Sequence, residues 1–464
     1  MSEKSDLEKH VEVGGAVTVS SGSQPDVERE REALSTFPEG GRQAWLTVLG
    51  ASLVQFCTFG YMNAFGVYQG FPSRLMHSLD FYVREYLTDY TPSDIGWIGG
   101  VQIFLAFGCG IFAGRAFDRG YFHQLMIGGA LLHSFSFFML SLSHESQYYQ
   151  VFLSHGLGGG LGTGIVYIPS LTVVSHYFQR NRPLAMGIVT VGNALGAVLH
   201  PIMLNHLFHG PVGFHTGVRI SAALNTALLC VANAIMRARL PPTKPLGAGV
   251  VPVLKFMRDP AYAFVVVGGL FVFCGLFFPA FFLQLDAVKH GVDRQFAFYC
   301  LSILNAASIL GRVVPAVFAQ KYGVFNVTIF LTVGMGVLIY CMGVIETTSG
   351  FVTFAVFFGF FFGGGTSLTP PMIGSLAKDM SEMGARIGTS LAISGIMGLF
   401  ATPIAGALLT SEFHWWRPIL FNGTAMMAGA ALFMASRYLV ASRKGTQFVR
   451  TAINASWYGD SHPG

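Results

Sequence analysis

About a dozen apolar stretches, each roughly 20 residues long and separated by short polar breaks, follow one another from Trp45 to about Arg437. A stretch of that length is what a helix needs to cross the hydrocarbon core of a bilayer. Lipid must therefore cover most of this surface, and the composition agrees: 52% of residues are hydrophobic, 11% are charged, and the mean hydropathy is +0.54. The runs are continuously apolar rather than alternating, which excludes a transmembrane barrel. The chain reads as an all-α integral membrane protein. Its 43 Phe and 57 Gly fit helical spans, with aromatics turned to lipid and small residues where helices approach closely.

The spacing predicts twelve spans, near 45–69, 94–115, 122–143, 150–176, 183–207, 216–237, 261–284, 296–319, 325–346, 351–376, 386–410 and 416–437. Residues 1–42 form a polar, Ser-rich tail with no signal-peptide core, expected to be disordered and cytosolic, so that the first span directs insertion. Basic residues collect in the breaks on one side, among them Arg115, Arg119, Arg180, Arg182, Arg237, Arg239, Lys321 and Arg437. The positive-inside rule then puts both termini in the cytosol. The net charge of +5 is thus a matter of topology and gives no sign of nucleic-acid binding. Cys57, Cys109, Cys230, Cys274, Cys300 and Cys341 fall in or beside apolar runs without metal-ligand spacing, so neither a disulfide frame nor a metal site is indicated and no cofactor is expected.

The Pro-rich, basic segment 240–259 divides the spans into an N-terminal bundle, 43–239, and a C-terminal bundle, 260–437, followed by a cytosolic tail, 438–464. The halves echo each other. His155 to Ser170 resembles Phe358 to Met372, and Arg182, Gly192 and Pro201 are matched by Arg386, Gly395 and Pro403. Such a repeat is the arrangement expected of major facilitator transporters: twelve transmembrane helices in two pseudo-symmetric six-helix bundles, with the substrate site between them at mid-membrane.

Three motifs sharpen the resemblance. Gly114-Arg115-Ala116-Phe117-Asp118-Arg119-Gly120 resembles the GxxxDRxG signature of that superfamily, and its carboxylate near a helix end can latch two helix termini on the cytosolic face. In the second half Gln320 stands where the acid would be, so a latch there is expected to be weaker. Glu39-Gly40-Gly41 with Trp45, the run from Tyr177 through Arg180 and Arg182 to Gly187, Gly192 and Gly196, and the stretch Ala297 to Arg312 are similar to motifs of the monocarboxylate transporter family, the last to its fungal branch. Gating is assigned to Gly114, Arg115, Asp118, Arg119, Arg180 and Arg182. The glycines also read directly as surfaces for close helix approach.

Arg312 breaks the rule that charges avoid the spans. It lies nine residues before Lys321, about 13 Å along a helix, and a charge so deep marks a functional site by default. The family resemblance makes it the anion-binding group and implies an aspartate four residues earlier and a lysine in the first span; here those positions hold Ser308 and Asn63. Without an adjacent acid the guanidinium can take a substrate carboxylate in a bidentate pair. Asp94, Asp118, Asp259, Asp286 and Asp379 all sit at span ends, so proton coupling falls to a histidine or to the substrate's own acid. Tyr61, Asn63, Asn193, Asn305, Ser308 and Thr366 are candidate substrate contacts beside Arg312. Gln55, Gln102, His155, Tyr167 and Ser390 are further polar residues within spans, and His133 and His200 are read first as packing histidines.

The expectation is a secondary active or facilitative transporter of a small organic anion, a monocarboxylate by family resemblance, working by alternating access in the plasma membrane. Its partners are the lipid bilayer, a small-molecule substrate and, as a candidate coupling ion, the proton. A permease or exporter of a neutral or amphipathic vitamin or secondary metabolite is the alternative, and a non-transporting sensor the rival of another class. No clustered acids, His/Asp pair or metal set is evident within the spans, so an enzyme is not expected.

Overall fold

The computed structural model describes residues 37–64, 87, 89–90, 92–240, 253–377, 382–409 and 414–459. The expected tail before Phe37, most of the linker and the end of the first span beyond Ala64 lie outside them. The described residues are all-helical. Twelve long helices succeed one another: α1 (Arg42–Gln55, continued by a π-helical turn at Phe56–Gly60), α2 (Gly96–Asp118), α3 (Phe122–Leu140), α4 (Tyr148–His176), α5 (Arg182–Phe208), α6 (Gly213–Ile235), α7 (Pro260–Lys289), α8 (Arg294–Tyr322), α9 (Val324–Cys341), α10 (Thr348–Gly374), α11 (Met383–Leu409) and α12 (Trp416–Gly459). Among the described residues ten of them, all but α1 and α3, are long and apolar enough to cross a membrane; α3 carries His123, Gln124 and His133. The helix ends carry local stop and start signals. Gly120 and Gly323 adopt left-handed backbone (φ 92 and 85), which turns the chain sharply after α2 and α8. Asp259 and Asp293 accept from backbone N–H groups at the starts of α7 and α8.

Each helix pairing in α1–α6 recurs six helices later. The pairs α1·α5, α1·α6, α2·α4, α3·α4 and α3·α6 return as α7·α11, α7·α12, α8·α10, α9·α10 and α9·α12. Two further contacts, α2·α11 and α5·α8, join the two sets and are themselves related by the repeat. The sequence echo between α4 and α10 therefore has a physical basis. A Cβ on Gly164 of α4 would meet the Leu105 carbonyl of α2, and Cβ atoms on Gly359 and Gly363 of α10 would overlap the carbonyls of Leu304 and Ser308 of α8. Backbone meets backbone in both places, which only glycine permits.

Two boundaries differ from the sequence reading. Helix α12 continues past Arg437 to Gly459, with no proline to stop it. The residues just before α7 are packed rather than loose: Phe256 is buried and lies under the Arg386 guanidinium, 4.9 Å from its ring centre.

Replacing Gly363 by Val should lower stability in detergent by about 1–3 kcal/mol or prevent assembly. The same change to Ala at Gly128, where a Cβ meets nothing within 4 Å, should leave the melting temperature in place.

Candidate substrate cavity and gate

Between the two helix sets lies a narrow cavity of about 70 Å³. Arg312 from α8 is the one charged residue on its described wall, and only 2% of its surface is exposed. Its Nε and Nη1 have no hydrogen-bond partner among the described residues. A buried guanidinium left in that state is costly, and an anion is what would relieve it. The backbone there is crowded: a Cβ on Gly187 of α5 would come within 2.5 Å of the Arg312 carbonyl oxygen. The side chain, not this backbone, lines the cavity.

Asn63, Asn193, Asn305 and Thr366 are on the same wall, as are Tyr167 and Ser390. Asn63 Nδ2 donates to the Phe59 carbonyl (2.7 Å) and to Asn193 Oδ1 (3.2 Å), joining α1 to α5. Asn305 Nδ2 donates to the Leu301 carbonyl (3.0 Å). Tyr61 and Ser308 are not wall residues. Tyr61 is on the face of α1 turned into its own bundle, its ring 4.4 Å from that of Phe137 and 5.0 Å from His200. Ser308 is covered by the close approach of Gly363, and its hydroxyl donates to the Asn305 carbonyl (2.7 Å).

The remaining polar residues serve packing within the first bundle. Gln55 Nε2 donates to Ser170 Oγ (3.0 Å). His133 and His200 point Nε2 at the carbonyls of Cys57 and Phe56 (3.1 and 3.2 Å), so that nitrogen carries the hydrogen in each. Both carbonyls belong to the π-helical turn of α1, whose wider spacing interrupts the ordinary i to i+4 ladder. His155 packs against Phe137. None of the three lines the cavity, and no carboxylate does among the described residues. Asp286, at a helix end as expected, is nonetheless buried, with His290 Nδ1 3.2 Å from its carboxylate.

Much of the wall is aromatic, in keeping with the alternative of an amphipathic cargo. Phe59, Phe107, Phe273, Phe277, Phe362 and Phe433 line it with Tyr167. Phe59 meets Tyr167 at a tilt of 42° with 4.2 Å between ring centres, and Phe107 meets Phe273 edge-on across the two helix sets at 5.0 Å.

At one end of the bundle Asp118 closes the α2·α11 contact. Its carboxylate accepts from the backbone N–H groups of Gly384 (3.1 Å) and Ala385 (2.8 Å), the first turn of α11, where unpaired N–H groups and the helix dipole favour an anion. Gly114 makes this possible, since any Cβ there would overlap the Gly384 carbonyl. The α5 start is held differently. Glu39 accepts from the N–H groups of Gln179, Arg180 (2.5 Å) and Asn181 (3.0 Å), and its own N–H donates to the Tyr177 carbonyl. Trp45 meets Phe178 edge-on at 5.4 Å. Two motifs about 140 residues apart are thus one contact. Glu39 adopts left-handed backbone (φ 49), a strain these bonds offset. Arg180 contributes its main chain, and Arg182 Nε reaches the Phe178 carbonyl at 3.4 Å. Arg115 is half-buried and Arg119 exposed beside the Asp118 latch.

The Major Facilitator Superfamily profile matches residues 44–377, and the chain belongs to that superfamily. It is a membrane transporter rather than an enzyme. It is 36% identical over 409 residues to the aspyridones efflux protein apdF of Emericella nidulans, covering 88% of this chain and 80% of that one. It is 34% identical to the agnestins efflux protein AgnL12 of Paecilomyces divaricatus, covering 85% and 87%. Among solved structures, a bacterial homologue of the iron transporter ferroportin matches with a TM-score of 0.68 at 12% identity over 86% of this chain and all of that one. The human organic anion transporter MFSD10 matches with a TM-score of 0.65 at 15% identity, over 86% of this chain and all of that one. At these identities the structures support the fold alone.

Burial opposes ionisation of Glu39, but the three N–H donors outweigh it and hold its carboxyl below the usual range. Its contribution to stability is therefore complete above about pH 4.5 and is lost as the pH falls through the lowered value. Glu39→Gln should flatten that acid limb in thermal melts. Asp118→Ala, which removes a cap worth about 0.5–2 kcal/mol, should speed hydrogen exchange at the Gly384 and Ala385 amides, the two N–H groups it caps.

Proposed function

We propose that this protein exports an amphipathic, weakly acidic small molecule of the secondary-metabolite class, binding its acidic group at Arg312. The observation that carries this reading is one buried guanidinium, its Nε and Nη1 without a hydrogen-bond partner among the described residues, in a described wall otherwise made of aromatic, aliphatic and neutral polar groups. An aromatic wall rewards a cargo with a large apolar body, whereas a lactate-sized acid would leave most of it uncovered. The efflux proteins of similar sequence support the same direction. The small monocarboxylate expected from the family motifs has only Arg312 in its favour.

The Asp118 and Glu39 contacts would lie on the cytosolic face, and rocking of α1–α6 against α7–α12 would break the first while leaving the second, which is internal to one bundle, intact. With no carboxylate on the described wall, a coupled proton would travel on the cargo's own acid. The two bundles, the linker and cytosolic termini, in a plasma-membrane setting, complete this reading.

Proteoliposomes loaded with labelled aryl-alkanoic acids and, separately, lactate test it. Native protein should move the aryl acids and not lactate, and Arg312→Gln should slow them about 10- to 100-fold, the equivalent of one charge-assisted hydrogen-bonded contact. Equal transport by the variant would overturn the assignment of Arg312.

A further inference from the structure

We infer that the Asn63–Asn193 amide pair is a second recognition element and that the cargo is bipolar: an acidic group at one end and, at the other, an amide, lactam or hydroxy-carbonyl edge offering a donor and an acceptor together. This rests on Arg312 as the acid site. A carbonyl oxygen only accepts, so the group 2.7 Å from the Phe59 carbonyl is the NH₂ of Asn63, and its second hydrogen goes to Asn193 Oδ1. Both amides are thereby oriented. Asn63 Oδ1 and the two hydrogens of Asn193 Nδ2 are left with no partner among the described residues, although both side chains are half-buried on the cavity wall. One acceptor and one donor group stand side by side in apolar surroundings, where a ligand that fails to meet them leaves buried polar groups unpaired. A site of that kind selects for the matching edge more strongly than an apolar pocket selects for shape.

The packing also sets the spacing. Gly187 is against the Arg312 backbone, so the two lie at one level, and from there α5 climbs six residues to Asn193, about 9 Å. Helix α8 runs the other way, and Asn305 is seven residues from Arg312, about 10 Å along the same axis. Asn305 thus faces the amide pair from the opposite wall, with one amide hydrogen and its Oδ1 beyond the bond to Leu301. Phe59, Tyr167, Phe107 and Phe273 line the same cavity and offer a place for an aromatic or other apolar body.

Two probes of matched length and acidity separate this from a mere α1–α5 brace: para-carbamoyl phenylbutanoate and its near-isostere para-isopropyl phenylbutanoate, each followed into proteoliposomes. Native protein should prefer the carbamoyl probe by about tenfold in kcat/KM. Asn193→Asp retains the oxygen that accepts from Asn63 and removes the donor, so the brace persists while the preference should vanish. Asn193→Leu should invert the preference, with uptake of the isopropyl probe maintained in protein that remains monodisperse. An unchanged ratio in both variants overturns the amide-pair assignment and leaves Arg312 as the acid site untouched. Failure of folded native protein to move either probe overturns the acid-site reading and this one with it.

Discussion

The contact on which the arrangement depends is glycine against backbone carbonyl. In lipid, apolar side chains gain nothing from each other that they do not gain from acyl chains, so helices associate where backbones can come close and dispersion and weak polar contacts accumulate. Here Gly110 and Gly114 of α2 meet Gly388 and Gly384 of α11, and Gly187 of α5 meets Arg312 of α8. They belong to the two most extensive contacts between the helix sets, α2·α11 and α5·α8. The first brings Asp118 within reach of the α11 start; the second sets the depth of the arginine.

The repeat is faithful in packing and broken in chemistry. Asp118 caps α11 across the two helix sets, but the equivalent position near the end of α8 is Gln320, and the turn leading into α5 is held by Glu39, next to α1 in its own bundle. The partner of the second-bundle arginine follows the same local rule: Arg386 lies near Asp259, the acid just before α7, and pairs with Glu382 (3.1 Å). Neutral Gln320 thus leaves, of these two related positions, one inter-bundle acid cap among the described residues.

A charge in the interior is tolerable where packing gives it no exit and a ligand gives it a partner. The wall around Arg312 divides these tasks: aromatic rings displace water and lower the local dielectric, which strengthens any ion pair formed there, while the asparagines supply polarity without a competing charge. The absence of a carboxylate from the described wall is what distinguishes it from a site in which an internal ion pair must be broken before cargo can bind.

Much of the fold was legible in the sequence, because helix length and apolar continuity follow directly from bilayer thickness, and the Gly-rich echo between α4 and α10 marks equivalent packing surfaces. Arg312, Asn63, Asn193, Asn305 and Thr366 could be singled out as polar groups where lipid would reject them. What a helical stretch of Phe faces has no such signal, since aromatic rings suit lipid and cavity equally, and the inward turn of Phe59, Phe107 and Phe273 is decided by tertiary packing. The same is true of Tyr61 and Ser308, one helical turn or less from wall residues yet covered by neighbours. The union of Glu39 with the Tyr177–Arg182 motif is likewise invisible along the chain, because the hydrogen bonds that join them exist only once α1 and α5 stand side by side. Sequence by itself determined the helices, their depth and the buried charge; the tertiary structure decided which faces look at one another, because that depends on where two backbones can touch.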